Sequence, residues 1–246
     1  MRTLAALMMM ATLAGCVQPM AYPAPAPLPE PILQPLPMQT TGTAPLPPRE
    51  AARNFLTVLA RVEPIAEAYC RSAGTAENCD FQIVIDDRPG QPANAFQTLD
   101  RAGRPIIAFT LALIADARNA DEIAFVLGHE SAHHIAGHIP RQQQTAVAGA
   151  VLAGIIAVKS GAGQAEVEQA QQIGAGLATR SYSKDFELQA DAIGTEIAFH
   201  AGYDPLRGAG FFDRLPDPGD EFLGSHPANA QRKAQVARVL VNLRGQ

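Results

Sequence analysis

The chain has 246 residues, 47% of them hydrophobic and 17% charged, with a formal net charge of -5. That length supports one core-bearing domain with an appendage. An isoelectric point near 5.7 excludes an overall basic nucleic-acid footprint, aperiodic Gly and Pro exclude collagen, and no run of about 18 apolar residues marks an ordinary transmembrane helix.

The first segment reads as an address. Arg2 is a short basic region, and Leu4 to Leu13 is an apolar stretch of signal-peptide length. Leu13-Ala14-Gly15-Cys16 follows and resembles the bacterial lipobox, in which cleavage precedes a lipid-modified Cys. The expectation is a signal peptide over residues 1–15 and a lipidated Cys16, stably anchored by two or more acyl chains. Val17 after the Cys, by resemblance to Gram-negative sorting, points to the periplasmic face of the outer membrane. Removing Cys16 leaves Cys70 and Cys79, an even pair that an oxidising compartment would join in a short-loop disulfide. Their spacing does not suit a CxxC metal or redox motif.

Residues 17–48 hold eleven Pro. Such a stretch cannot form a helix or central strand and reads as a semi-rigid polyproline II tether, so residues 16–48 form one unit and 49–246 the folded domain. Arg49 to Arg71 places Phe55, Leu59, Val62, Ile65 and Ala66 at helical spacing, with Pro64 a source of a kink. Phe81 to Ile85 is a short strand. Ala95 to Leu99 and Arg104 to Thr110 form a hairpin across Asp100-Arg101-Ala102-Gly103, and Leu111 to Ala117 a further short helix.

Asn119 followed by Glu122 marks the cap of a stronger helix running to Gly137 and stopping before Pro140. It carries His129-Glu130-Ser131-Ala132-His133, the H-E-x-x-H pattern. Residues four apart on a helix lie about 40° apart and one turn along, so both imidazoles can face one metal ion. Glu130, about 100° round, can hold water there without ligating the ion. A third protein ligand is needed to leave one position open. Ala136 and Ile139 exclude the class with a further His ten residues after the first. His134 and His138 point elsewhere on the helical wheel and read as structural or exposed. Downstream, Glu187 and Asp191 share a helical face in Lys184 to Asp191, where a cation would relieve their repulsion. The arrangement expected is Glu187 on the metal and Asp191 hydrogen-bonded to a ligand imidazole. Glu166, Glu168 and Glu196 are rivals without comparable company.

His129-Glu130-x-x-His133 with His138, then Ser181 to Asp191, resembles the zinc-peptidase family that includes the CAAX prenyl proteases, the heat-shock peptidase HtpX and lipoprotein proteases such as BepA. Asn94-Ala95-Phe96, Asp121-Glu122, Gly202-Tyr203-Asp204-Pro205 and Ser225-His226-Pro227 fit the same likeness, which covers about residues 50–243. Many members carry Gly where this chain has Ala132. The resemblance implies a mainly helical α+β, zincin-like fold: an active-site helix, a second ligand helix, and a small β-hairpin or sheet at the cleft edge. It implies one Zn2+ per chain on His129, His133 and Glu187, with Glu130 the catalytic base. It also suggests His226 near the cleft, as an oxyanion donor or resting-state ligand; Tyr203 is a weaker oxyanion candidate.

Pro227 suits the first turn of a final helix through Val236 and Leu240. Residues 142–180 form an Ala/Gly-rich helical insertion that could pack as a hairpin, cover the cleft as a lid or lie against lipid. The expected function is a zinc endopeptidase cleaving unfolded or misassembled envelope proteins. The alternative is a zinc-containing, chaperone-like binding lipoprotein with little turnover. Expected partners are such clients, the membrane through the N-terminal lipid, and either a second copy or envelope assembly machinery; nucleic acid is not expected.

Overall fold

The computed structural model describes residues 44–215 and 227–245, with the side chains of residues 180–182 left aside. The lipobox, most of the tether and His226 lie outside the described residues. Helix α1, Pro48–Ala73, starts with Pro in its first turn and ends on left-handed Gly74. Its buried stripe includes Phe55, Val58, Val62, Ile65 and Ala66, and Pro64 sits within it. Cys70 at its end is joined to Cys79 by a disulfide.

Three strands follow: β1 Gln82–Asp86, β2 Ala95–Leu99 and β3 Pro105–Thr110. Their spatial order is β1-β3-β2, with β1 parallel and β2 antiparallel to the central β3. The β2–β3 turn forms as the residues require: the Asp100 carboxylate accepts from the N–H groups of Ala102 and Arg104, and Gly103 takes positive φ. Buried Ile107 and Phe109 anchor β3, and the Phe109 ring meets Phe55 of α1 edge-on at 5.2 Å.

Short helix α2, Leu111–Asp116, is capped by the Thr110 hydroxyl. Helix α3, Ala120–Ile135, begins where the Asn119 side chain accepts from the Glu122 N–H. Glu122 does not close a reciprocal box; its carboxylate accepts from the Arg118 N–H and from Arg214. Thirteen of the sixteen residues of α3 are buried, so it is the central helix and not a surface one.

The chain then departs from expectation. Left-handed Gly137 ends α3, and α4, His138–Lys159, starts at once with Pro140 in its first turn. Pro is tolerated there because that N–H has no intrahelical partner. Helix α5, Gln164–His200, is far longer than the segment Lys184 to Asp191 alone suggested. Helix α6, Pro205–Gly208, a 3-10 turn over Ala209–Arg214, and α7, Asn229–Arg244, complete the described chain. Pro227 precedes α7 instead of entering its first turn, the cap position falling on Ala228. The result is a mainly helical α+β fold with one small mixed sheet among the described residues.

Helices α4 and α5 form a hairpin whose backbones meet at two glycines. A Cβ on Gly149 would lie 2.4 Å from the Gly174 carbonyl oxygen, and one on Gly174 equally close to that of Gly149. The hairpin does not lie over the cleft described below. Only its base, through Ile139, Gln142 and Ser183, reaches the cleft wall, and no residue of 146–172 lines it. The lid expected for that segment is therefore not how it is placed.

A second close crossing positions the chemistry. A Cβ on Gly128 of α3 would meet the Gly194 carbonyl oxygen at 2.8 Å, and one on Gly194 would meet the His129 backbone nitrogen at 2.7 Å. Each contact is with backbone, which cannot rotate aside. Helices bearing side chains here would separate, carrying residues 129 and 133 away from 187 and 191. Gly194→Ala improves intrinsic helix propensity by up to about 1 kcal/mol. The overpacking costs about 1–3 kcal/mol, so the clash wins. The expected result is a net loss of stability in urea together with weaker divalent-metal binding in a chelator competition. Parent-like values for both would show that this approach does not set the site.

Candidate active site

Helix α3 supplies His129, Glu130 and His133; α5 supplies Glu187, Gln189 and Asp191; α7 supplies Arg232. His129, Glu130, His133, Glu187 and Arg232 line a cleft of about 780 Å³, with Gln189 and Asp191 behind them. Its walls are β2 on one side, from Ala95 to Gln97, and Phe186, Phe211, Phe212 and Leu215 on others.

Three donor atoms converge. His129 Nε2 lies 3.1 Å from His133 Nε2, with Glu187 oxygens 3.6 Å from the first and 3.4 Å from the second. A tetrahedral ion with bonds of about 2.0–2.2 Å separates its ligands by roughly 3.3–3.6 Å. Two imidazoles and one carboxylate at these spacings therefore fit a divalent ion, and these residues form the one metal-compatible cluster among the described residues. The donor set is that of zinc sites with an open fourth position.

The outer atoms of both imidazoles are held. His129 Nδ1 lies 3.0 Å from Asp191 Oδ1 and donates to it, leaving Nε2 for the ion. Arg232 grips the same carboxylate with two bonds, Nε to Oδ2 at 2.8 Å and Nη2 to Oδ1 at 2.6 Å, and lies 3.4 Å from Glu187. Its guanidinium stacks 4.0 Å above the Phe212 ring. His133 Nδ1 meets His138 Nδ1 at 2.8 Å, and His138 Nε2 meets Gln189 Oε1 at 3.0 Å. The Gln oxygen only accepts, so His138 donates from Nε2, accepts at Nδ1, and fixes His133 with a hydrogen on its own Nδ1.

Ionisation follows from these surroundings. Burial favours neutral His138 and pushes its pKa down to about 4. Burial, with His129 next in weight, takes His133 well below the ordinary range. For His129, burial acts downward but the Asp191 hydrogen bond and the nearby carboxylates outweigh it, so the pKa rises. Burial pushes the Glu130 carboxyl up to about 7, against the pull of His129. A carboxylate so placed is more basic than a solvated one. The backbone of Gln97 on β2, which also lines the cleft, acts weakly in the opposite direction.

Strand pairing identifies the free edge of the sheet. The Thr110 N–H donates to the Asn94 carbonyl, so by antiparallel alternation Ala95 and Gln97 turn their backbone groups away from β3. Both residues line the cleft. An extended peptide can therefore pair with β2 there.

The other sequence candidates sort cleanly. Tyr203 is buried and does not line the cleft; its surroundings include Arg61 and Asp121, so it is no oxyanion donor in this geometry. Glu196 accepts from the Tyr69 hydroxyl at 2.7 Å. Glu166 and Glu168 lie near the start of α5 and do not join the metal-compatible cluster. His134 contacts the Asn78 carbonyl at 2.6 Å and meets Phe81 edge-on, a structural post for the chain on either side of Cys79. His138 is not a ligand, yet it is buried at the site instead of merely structural or exposed. The helical wheel misplaced it because Gly137 interrupts the helix between 133 and 138. Arg232 and Gln189 were not anticipated. Arg232 carries a faint signal, as a charged residue on the apolar stripe with Val236 and Leu240.

An HExxH helix facing a glutamate helix beside a free strand edge is the site of a zincin-like metallopeptidase. The chain belongs to peptidase family M48, whose model matches residues 57–239. That membership supports a metalloprotease function. No curated protein matches the chain.

Proposed function

We propose that this protein is a zinc-dependent endopeptidase, lipid-anchored at Cys16 to the bacterial envelope, that cleaves unfolded or misassembled envelope proteins. The observation that carries the catalytic part is the convergence of His129, His133 and Glu187 beside Glu130 in a cleft bordered by a free strand edge. The lipobox and the Pro-rich stretch support the anchoring, with an outer-membrane, periplasm-facing location.

Substrate binds extended, antiparallel to β2, through backbone groups of Ala95 and Gln97. Backbone pairing reads little side-chain identity and requires an unfolded segment, which suits damaged clients. A bound zinc ion supplies a Lewis acid that polarises the scissile carbonyl and makes water a nucleophile near neutral pH. Glu130 takes a proton from the attacking water and delivers it to the departing amine. Asp191 and His138 hold the two ligand rings in their working tautomers. Phe186, Phe211 and Phe212 surround the reacting groups with apolar surface.

The test is metal analysis and cleavage of denatured casein by the purified full chain. The expected result is about one zinc per chain, cleavage within the casein chain, loss on chelation and recovery on adding zinc. Stoichiometric zinc with stable casein capture and no cleavage would replace this reading with a binding one.

A further inference from the structure

The α4–α5 hairpin uses its small residues for its own crossing and leaves the other half of α4 bare. Val147, Val151, Leu152, Ile155 and Val158 on that half are each 49–63% exposed. Gln144, Ala148, Val151, Ile155 and Val158 recur at spacings of four, three, four and three, the a/d repeat of a coiled-coil seam over two heptads. Val147 and Leu152 flank it. Gly149 and Ala153, which meet α5 most closely, lie on the opposite side, while Val151, Ile155 and Val158 border a groove with Val167 and Gln171 of α5 and stay about half exposed. No described element of the fold covers it, and it stands apart from the cleft.

Area and charge together select the occupant. Five side chains offering about 100 Å² each make roughly 500 Å² per copy, or about 1,000 Å² for a pair, the least a specific interface needs. Residues 142–179 contain only three charged side chains, Lys159, Glu166 and Glu168. They provide no basic rim of the kind that holds an interfacial helix on anionic lipid. No helix among the described residues is long and apolar enough to cross a membrane. An uncharged heptad seam is complementary to itself, which is the requirement of a two-fold interface. We propose that α4 pairs with α4 of a second copy of this chain along this seam, forming an isologous dimer.

The experiment uses the full chain. Ala148, Val151 or Ile155 is changed singly to Cys, and Arg101→Cys in the exposed β2–β3 turn serves as control. Oxidation in isolated envelopes is expected to give a band at twice the protomer mass for the seam positions and not for the control. Purified parent protein is expected to sediment as a dimer. Val151→Glu with Ile155→Glu is expected to weaken dimerisation at least 100-fold while leaving the circular-dichroism spectrum and melting temperature near those of the parent. A monomeric parent at micromolar concentration overturns the proposal. So do seam thiols that cross-link only to other proteins, or that are shielded from a water-soluble maleimide without forming dimers, the result that lipid burial gives. None of these readouts depends on proteolysis, so the dimer and the peptidase reading fail separately.

Discussion

Glu130→Gln is expected to bind zinc as the parent does and to lose about 10²–10⁴-fold in kcat/KM on casein. The substitution keeps size and shape, so the cleft and the three donor atoms stay in place. Among the described residues, it removes the carboxylate beside the metal-compatible cluster that can move a proton. Burial raises the basicity of this carboxylate, which lines the cleft. A Gln amide oxygen can still accept a hydrogen bond but is not a base at neutral pH. The ligands are untouched, so zinc content separates this variant from a misfolded one. The control Glu187→Gln loses zinc affinity and activity together. If Glu130→Gln, loaded with zinc, cleaves casein within a factor of three of the parent, Glu130 is not the base.

Much of this site is written in helical periodicity. The i, i+4 spacing of His129 with His133, and of Glu187 with Asp191, fixes each pair on one face whatever the rest of the fold does. The hairpin was legible because Asp100 and Gly103 encode their own turn. What escaped reading depends on contacts between distant segments. Arg232 lies 41 residues from Asp191 in sequence, and nothing local says that the two meet. His138 was misplaced because a single left-handed Gly137 reset the helical phase. The Gly128–Gly194 crossing is invisible locally, since a glycine within a helix signals weakness until its neighbour is known. The hairpin of α4 and α5 was expected from composition, but its orientation away from the cleft follows from the course of a 37-residue helix whose far end is fixed in the core.

Arg232→Met is expected to destabilise the metal-free protein by about 3–5 kcal/mol, because it strands a buried charge. Asp191 is fully buried, and its oxygens accept from Arg232 twice and from His129 once. Met fills much of the space above Phe212 but donates nothing. The loss is then mostly the penalty of an unpaired carboxylate, not the worth of the ion pair. That distinction can be measured. Combining Arg232→Met with Asp191→Asn removes both charges, and a large part of the stability returns if the penalty dominates, giving a coupling of more than about 1 kcal/mol. Arg232→Lys keeps the charge without the two-pronged geometry and falls between parent and Met. Unfolding in urea with a chelator present supplies the values, read as a shift in midpoint at constant slope. The same series reports on the site: in Arg232→Met, Asp191 loses its clamp, so His129 is less well oriented and zinc affinity falls about 10- to 100-fold. Should Arg232→Met cost less than 1 kcal/mol and leave zinc affinity intact, the α7 arginine does not hold Asp191 as described, and the orientation of His129 must rest on Asp191 alone.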